Sequence, residues 1–485
     1  MIEFRDVGFT YGGSTEPVLR NVSLRIRDGE TVVLCGESGC GKSTLTRLVN
    51  GLIPHFHDGE LTGEVLLDGR PIGDTALHEL AGRVGSVFQN PRTQFYNVDS
   101  TAELAFGCEN LGLDPAEIER RIVDTSTRLR LDDLLNRSLF DLSGGEKQRI
   151  ACGSVDTVRP EILVLDEPSS NLDLGAIEHL AAAVRRWRDD GRTLVIAEHR
   201  TFYLTDLADR FLYLKNGRIV AEYTPDQFRA LSPTELAELG LRDPDPWRRP
   251  PAAAPEPSTE SVRIRDFTRI TDGRRRLAID RLDLPRGGVI GVLGRNGAGK
   301  TTFARTFCAL DRGSRGTVEI GGETYRPRRR RRLAYLVMQD VNHQLFTEDV
   351  LSEIVLSMDD DGPAERERAR EILRAVDLAD EADRHPLSLS GGEKQRVAVG
   401  GALAADREIM ILDEPTSGLD HRRMAELADI LRALSAAGTT VLVITHDVEL
   451  ILRCTTHLVY LEAGRVVRSS PMDDDEVTHL QEFLS

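Results

Sequence analysis

Apolar residues in this chain fall into runs of two kinds. Short β-branched stretches, Thr31 to Leu34 and Val289 to Leu293, break off at glycine-rich turns, and helical periodicity follows from Ser43 to Asn50 and from Thr301 to Leu310. This spacing predicts strand, loop and helix in succession, once in each half. Further on, Ile162 to Leu165 and Ile409 to Leu412 are continuous apolar runs stopped by acids. That is the pattern of a buried parallel strand with functional groups at its carboxyl end. Thr193 to Ala197 and Val441 to Ile444 are also only strand-length, far short of the roughly 18 apolar residues a membrane-crossing helix needs. Met1-Ile2-Glu3-Phe4-Arg5 enters an alternating strand-like pattern directly, without the basic start, apolar middle and cleavage site of a signal peptide. We expect an α/β fold, no membrane span and a cytoplasmic location.

The halves repeat one another. Leu142-Ser143-Gly144-Gly145-Glu146-Lys147-Gln148-Arg149 recurs without change as Leu389-Ser390-Gly391-Gly392-Glu393-Lys394-Gln395-Arg396. The same displacement relates Asp166-Glu167-Pro168 to Asp413-Glu414-Pro415 and His199 to His446. Three separated blocks in one register signify a tandem duplication. Gly36 and Gly294 are displaced slightly further, which places deletions in surface loops of the second copy. Between the copies, Asp243-Pro244-Asp245-Pro246-Trp247-Arg248-Arg249-Pro250-Pro251 and the stretch through Pro257 are too rich in proline for helix or central strand. The expected organisation is a first domain over 1–240, a linker over 241–260 and a second domain over 261–485.

Composition narrows the picture. A length of 485 residues exceeds one hydrophobic core. With 40% hydrophobic and 29% charged residues and a mean hydropathy of -0.28, the chain is that of a folded globular protein. A net charge of -17 argues against a broad grip on nucleic acid or anionic lipid. Cys35, Cys40, Cys108, Cys152, Cys308 and Cys454 lack paired metal-ligand spacing and are expected as free thiols.

Gly36-Glu37-Ser38-Gly39-Cys40-Gly41-Lys42-Ser43 and Gly294-Arg295-Asn296-Gly297-Ala298-Gly299-Lys300-Thr301 both satisfy the Walker A spacing, with Thr44 and Thr302 next along. Glycines let the backbone wrap a phosphate chain, amides at the helix start donate to it, and the lysine neutralises charge on the β- and γ-phosphates. Ser43 and Thr301 are expected to ligate magnesium. Only five of the 62 basic residues are lysine, and two of these occupy the phosphate loops, where arginine's planar fork would not fit. Asp166 and Asp413 end apolar strands and can hold magnesium, while Glu167 and Glu414 are placed to polarise an attacking water. His199 and His446 follow another apolar strand and are candidates for γ-phosphate contact; a solvated or core histidine is the plainer alternative.

With the octapeptides beside Walker A and Asp-Glu-Pro, both halves resemble ATP-binding cassette (ABC) ATPases over nearly their full lengths. The resemblance implies two tandem P-loop NTPase domains, each with a mainly parallel core sheet, an antiparallel β subdomain and a helical signature subdomain. It further implies ATP and Mg2+ as cofactors and intramolecular pairing of the two domains. One site would join Lys42, Ser43, Gln89, Asp166, Glu167 and His199 to Ser390, Gly391 and Gly392. The other would join Lys300, Thr301, Gln339, Asp413, Glu414 and His446 to Ser143, Gly144 and Gly145. In the family Gln89 and Gln339 would serve both catalysis and the metal. Tyr11 stands where the family stacks an aromatic ring on adenine, and the same spacing before Gly294 reaches Arg269.

A narrower resemblance surrounds the glutamines. Gln89-Asn90-Pro91-Arg92-Thr93-Gln94-Phe95 and Gln339-Asp340-Val341-Asn342-His343-Gln344-Leu345-Phe346 each carry a second glutamine five residues later. This is similar to the ATPase subunits of energy-coupling-factor (ECF) importers, including fused twin-cassette forms. It implies integral-membrane partners, a transmembrane coupling subunit and a substrate-binding subunit, at the cytoplasmic face of the membrane. Phe95, Leu345 and Phe346 are candidates for the coupling groove, with core packing equally open. The rival class is a soluble twin-cassette ATPase acting on ribosomes or nucleic acid; a short proline-rich linker favours transport. Arg326 and Arg328 to Arg332 form the one dense basic run, expected as a solvated loop. Cys35 and Cys40, just before and within the first phosphate loop, are expected to be inert.

Overall fold

The structure, a computed structural model, describes residues 1–252, 260–271 and 273–484. The chain divides into two compact units, Met1–Pro246 with Leu419–Arg422 and Trp247–Gly418 with Arg423–Ser485. Of the expected linker, residues 253–259 lie outside the described residues. Its first part belongs to the first unit, where Leu241 joins the core, and Pro246–Arg248 forms a single 3-10 turn.

In the first unit a six-stranded sheet runs in the order Arg218–Tyr223, Arg210–Lys215, Thr31–Cys35, Thr193–Ala197, Ile162–Asp166, Val84–Val87. All neighbours are parallel except the first pair. Because side chains alternate across a strand, Val32 and Leu34 enter one core, and Val33 and Cys35 enter another. Both faces are therefore covered, which is why these strands read as unbroken apolar runs rather than as alternation. The first core lies against the helix Lys42–Val49 through Leu45, Leu48 and Val49. It also takes in an antiparallel sheet ordered Leu19–Ile26, Ile2–Tyr11, Gly59–Leu67, Arg70–Pro71. The second core packs on the helix Leu174–Asp189 through Ile177, Leu180, Val184 and Trp187. A helical region of Ser100–Asn110, Pro115–Leu129 and Gly144–Val158 has its own small core around Leu104, Leu131 and Ile150.

The second unit repeats this order with Arg465–Pro471, His457–Glu462, Val289–Leu293, Thr440–Ile444, Ile409–Asp413 and Ala334–Val337. Its antiparallel sheet runs Arg274–Pro285, Ser261–Thr271, Thr317–Ile320, Glu323–Tyr325. Each unit is thus α/β with a mainly parallel sheet, an antiparallel sheet and a helical region. Among the described residues no helix is long and apolar enough to cross a membrane.

The arginine run departs from its expectation. It forms the helix Pro327–Leu333, not a solvated loop. Arg329 pairs with Glu323 at 3.1 Å and lies over the Tyr325 ring. Arg330 is fully buried, with its guanidinium 4.5 Å from the Phe267 ring centre and no hydrogen-bond partner on any of its three nitrogens among the described residues. Burial pushes its pKa down to about 10. In the first unit, the residue four before the corresponding strand is Leu80, also buried. An unpaired buried charge is costly. Arg330→Leu is accordingly expected to stabilise the second unit by about 1–3 kcal/mol, seen in calorimetry as a rise of several degrees in its unfolding midpoint. An unchanged or lower midpoint would show that the ring contact outweighs desolvation.

Candidate functional site

Each phosphate loop connects the central parallel strand to a helix, Lys42–Val49 or Lys300–Phe307. Gly36 and Gly294 have φ of 146° and 155°, and a Cβ there would meet the Leu214 or Leu461 carbonyl oxygen at 2.3 Å or 2.5 Å. Only glycine permits that closeness. Lys42 and Lys300 are buried beneath the loops: Lys42 Nζ donates to the carbonyls of Gly36 and Glu37 at 3.0 Å each, and Lys300 Nζ to those of Gly294 and Arg295 at 2.6 and 3.3 Å. Glu37, Ser38, Gly39, Cys40 and Gly41 lie within the first loop, as do Arg295, Asn296, Gly297, Ala298 and Gly299 in the second, and Thr44 and Thr302 fall in the first helical turns. Burial pushes the Cys35 and Cys40 thiols up, so neither is a ready nucleophile.

The acids meet these loops from a buried strand two places along the sheet, beyond Thr193–Ala197 in the first unit and Thr440–Ile444 in the second. Ser43 Oγ donates to Asp166 Oδ1 at 2.9 Å and Thr301 Oγ1 to Asp413 Oδ2 at 2.7 Å. Burial and the adjacent Glu167 charge push Asp166 up to about 6, and burial raises Asp413 as well. These hydroxyl and carboxylate oxygens suit a small hard divalent cation whose charge would offset that burial. Among the described residues no three His, Cys, Asp or Glu side chains cluster as a closed metal cage.

Glu167 and Glu414 each follow their strand with φ of 45° and 51°, a left-handed conformation that costs a residue with a Cβ about 1 kcal/mol or more. Each is held there by its own N–H, which donates to the Ala197 or Ile444 carbonyl at 2.8 Å. His199 Nε2 lies 3.3 Å from Glu167 Oε1 and His446 Nε2 lies 3.4 Å from Glu414 Oε1. Burial raises the Glu167 carboxyl, but His199 and, behind it, Lys42 overcome this and hold it below the usual range. Gln89 Nε2 donates to Glu167 Oε2 at 2.8 Å. Gln339 stands at the matching place, two residues beyond the strand Ala334–Val337. A half-buried, oriented carboxylate beside a histidine is suited to positioning a water molecule.

Ser143 and Ser390 cap the helices Gly144–Val158 and Gly391–Ala405, each in a reciprocal capping box with Glu146 or Glu393. Gly144, Gly145, Gly391 and Gly392 form the first helical turns, where unpaired amides favour an anion. The second glutamines act as staples. Gln94 Oε1 accepts from the Phe88 N–H at 3.2 Å, and Gln344 Oε1 accepts from the Met338 N–H at 2.6 Å. Their shared spacing was the sequence signal for this. Of the candidate groove residues, Leu345 is core and Phe95 packs against the helical region's core, while Phe346 is 75% exposed. Tyr96, at the same position after its glutamine and not singled out from sequence, is 77% exposed.

Tyr11 lies beside the first phosphate-loop helix, its Oη 3.2 Å from Thr44 Oγ1 and accepting from Arg47 at 2.8 Å. Arg269 is not its structural counterpart. A Cβ on Gly217 or Gly464 would meet the Val18 or Arg276 carbonyl at 2.3 Å, so Leu19 and Leu277 hold equivalent places. Across the hairpin Leu19 faces Phe9 and Leu277 faces Arg269. The second hairpin is shorter at its tip, and counting back from the glycine loop could not register that.

The ABC transporter family model matches residues 19–170 and 277–417. A Treponema denticola protein named as an ABC transporter ATP-binding protein is 41% identical over 477 residues, covering 96% of each chain. A Streptomyces coelicolor protein named for the same role is 36% identical over 535 residues, covering 98% of this chain and 94% of its own. Among solved structures, archaeal ribosome recycling factor aABCE1 in complex with ribosomal stalk protein aP1 aligns with a TM-score of 0.68 and 23% identity, covering 99% of this chain and 92% of that one. A structure titled RNase-L Inhibitor aligns with a TM-score of 0.67 and 22% identity over 99% and 93%. At that identity the two structures bear on the fold alone, two tandem P-loop domains of the ABC type. The chain belongs to the ABC transporter family, and is an ATP-binding, ATP-hydrolysing protein of two cassettes.

Proposed function

We propose that the chain is the motor subunit of an importer of the ECF type, coupling ATP hydrolysis at two sites to uptake through separate membrane subunits. Its partners in this reading are a transmembrane coupling subunit and a substrate-binding subunit, and it sits peripherally at the cytoplasmic face of the membrane. Lys42 and Lys300 bind the phosphates, with the amides of their loops and those behind Ser143 and Ser390. Magnesium, held by Ser43 and Asp166 with Gln89, and by Thr301 and Asp413 with Gln339, would neutralise phosphate charge. Glu167 and Glu414 orient the attacking water; His199 and His446 steady those carboxylates and face the γ-phosphate.

One observation carries the transport reading. In the first unit the segment that starts at Gln89 in the hydrolytic site is stapled by Gln94 beside a cavity of about 210 Å³ lined by Gln94, Tyr96, Glu103, Phe106 and Val155. Exposed Tyr96 stacks on Phe106 at its rim, 4.8 Å between ring centres. An apolar, aromatic-rimmed recess joined to the catalytic glutamine suits a helix from another subunit. Relatives named for ABC transporters support the same reading. A net charge of -17 opposes a nucleic-acid partner. Affinity purification from native membranes is expected to recover integral membrane subunits, and Tyr96→Ser with Phe346→Ser to reduce that recovery several-fold. Recovery of ribosomes without any integral membrane protein would overturn the proposal in favour of a soluble twin-cassette ATPase.

A further inference from the structure

Glu198 stands immediately before His199 and is only 1% exposed. Its Oε1 accepts from the backbone N–H groups of His199 at 2.8 Å and Arg200 at 3.1 Å. Its Oε2 accepts from Tyr203 Oη at 2.9 Å and from the Ser169 N–H at 3.3 Å. Ser169 is two residues beyond Glu167, so one buried carboxylate bonds both the histidine's own backbone and the segment that leaves the catalytic glutamate. Both residues of the 3.3 Å pair between His199 and Glu167 are thereby referred to a single side chain.

The second unit is built differently at this point. Thr445 precedes His446, and its Oγ1 accepts from the Asp447 N–H at 3.1 Å. Asp447 in turn caps the helix Val448–Cys454, which anchors the chain directly after the histidine. In the first unit the same stretch holds only turns, closed by Leu204 onto Thr201 and Leu207 onto Leu204. A threonine hydroxyl has two lone pairs and a short reach, so it cannot replace a carboxylate accepting four bonds.

We infer that Glu198 is a positioning residue for the first hydrolytic site, fixing His199 and the backbone after Glu167 relative to each other in place of the helix that anchors the second site. The inference rests on Glu167 as the water-orienting carboxylate. Glutamine at 198 would turn an NH2 toward donors that now meet an oxygen, loosening the link while keeping the side chain's volume. A displacement of about 1 Å at a reacting centre can slow catalysis about 10²-fold.

The test uses the full chain carrying Glu414→Gln, whose remaining turnover belongs to the first site. If that chain has no turnover, the two sites act together and the same substitutions in the wild-type chain report directly. Adding Glu198→Gln is expected to lower kcat about 5- to 50-fold with KM for ATP unchanged within about twofold. Glu198→Thr, the residue its twin carries, is expected to do the same and supplies a reading should the glutamine variant not fold. An unchanged kcat in a folded variant, or a KM that rises in step with the fall in kcat, would overturn the inference. Glu167→Gln is measured alongside: if it keeps normal turnover, the role given to Glu167 fails, and that result is distinct from the effect of Glu198.

Discussion

Replacing Glu167 and Glu414 together by glutamine is expected to lower steady-state ATP turnover by about 10²- to 10⁴-fold while ATP binding persists. Each glutamate occupies a left-handed backbone position that only a demanding environment would maintain, and each has a histidine nitrogen within 3.4 Å. In the first unit, Gln89 adds an amide bond at 2.8 Å. Glutamine matches the glutamate's size, so the fold and the phosphate loops are retained. It cannot accept a proton from water, and its amide would oppose the Gln89 amide. The loss should therefore fall on kcat and leave nucleotide affinity near normal, with the single variants intermediate. Phosphate release under saturating ATP measures the first quantity and equilibrium binding of a fluorescent nucleotide the second. Near-normal turnover in the double variant would remove the water-orienting role from both residues.

Much of this site was legible because its parts are local. The glycine loops, the acids that end Ile162–Asp166 and Ile409–Asp413, and the repeated octapeptides that begin at Leu142 and Leu389 each depend on neighbours within a few positions. The two buried faces of the parallel sheet showed as continuous apolar runs for the same reason. What was illegible depends on pairing between distant segments. The shorter hairpin tip that displaces Arg269 from Tyr11 follows from strand register, which spacing along one strand does not encode. Arg330 reads as one more exposed arginine until its helix is docked, when it takes the place that Leu80 has in the first unit. Glu198 had no motif of its own. Its significance lies in bonds to Ser169 and Tyr203, on segments that the chain brings together only in the folded unit.

Lys42 and Lys300 carry the other large effect, this time on binding. Each ammonium is buried and aimed at the carbonyls of its own loop, with Lys42 accepted by Gly36 and Glu37 and Lys300 by Gly294 and Arg295. A compact charge there braces the loop and, in the proposed site, would face the phosphates that the loop amides would receive. Charge-assisted hydrogen bonds contribute about 1.5–3 kcal/mol, so Lys42→Ala with Lys300→Ala is expected to weaken ATP binding about 10- to 100-fold at each site. Arginine should not rescue it. The guanidinium is broader than the ammonium, and its fixed fork of donors cannot meet two carbonyls of a tight turn and a phosphate together. This chain holds five lysines among its 62 basic residues, yet keeps lysine in both loops. Titration of the full chain with a fluorescent ATP analogue should therefore show the double arginine variant binding as poorly as the double alanine variant. Arginine variants that bind ATP normally would show that charge alone suffices, and the need for a compact head group at these two positions would be refuted.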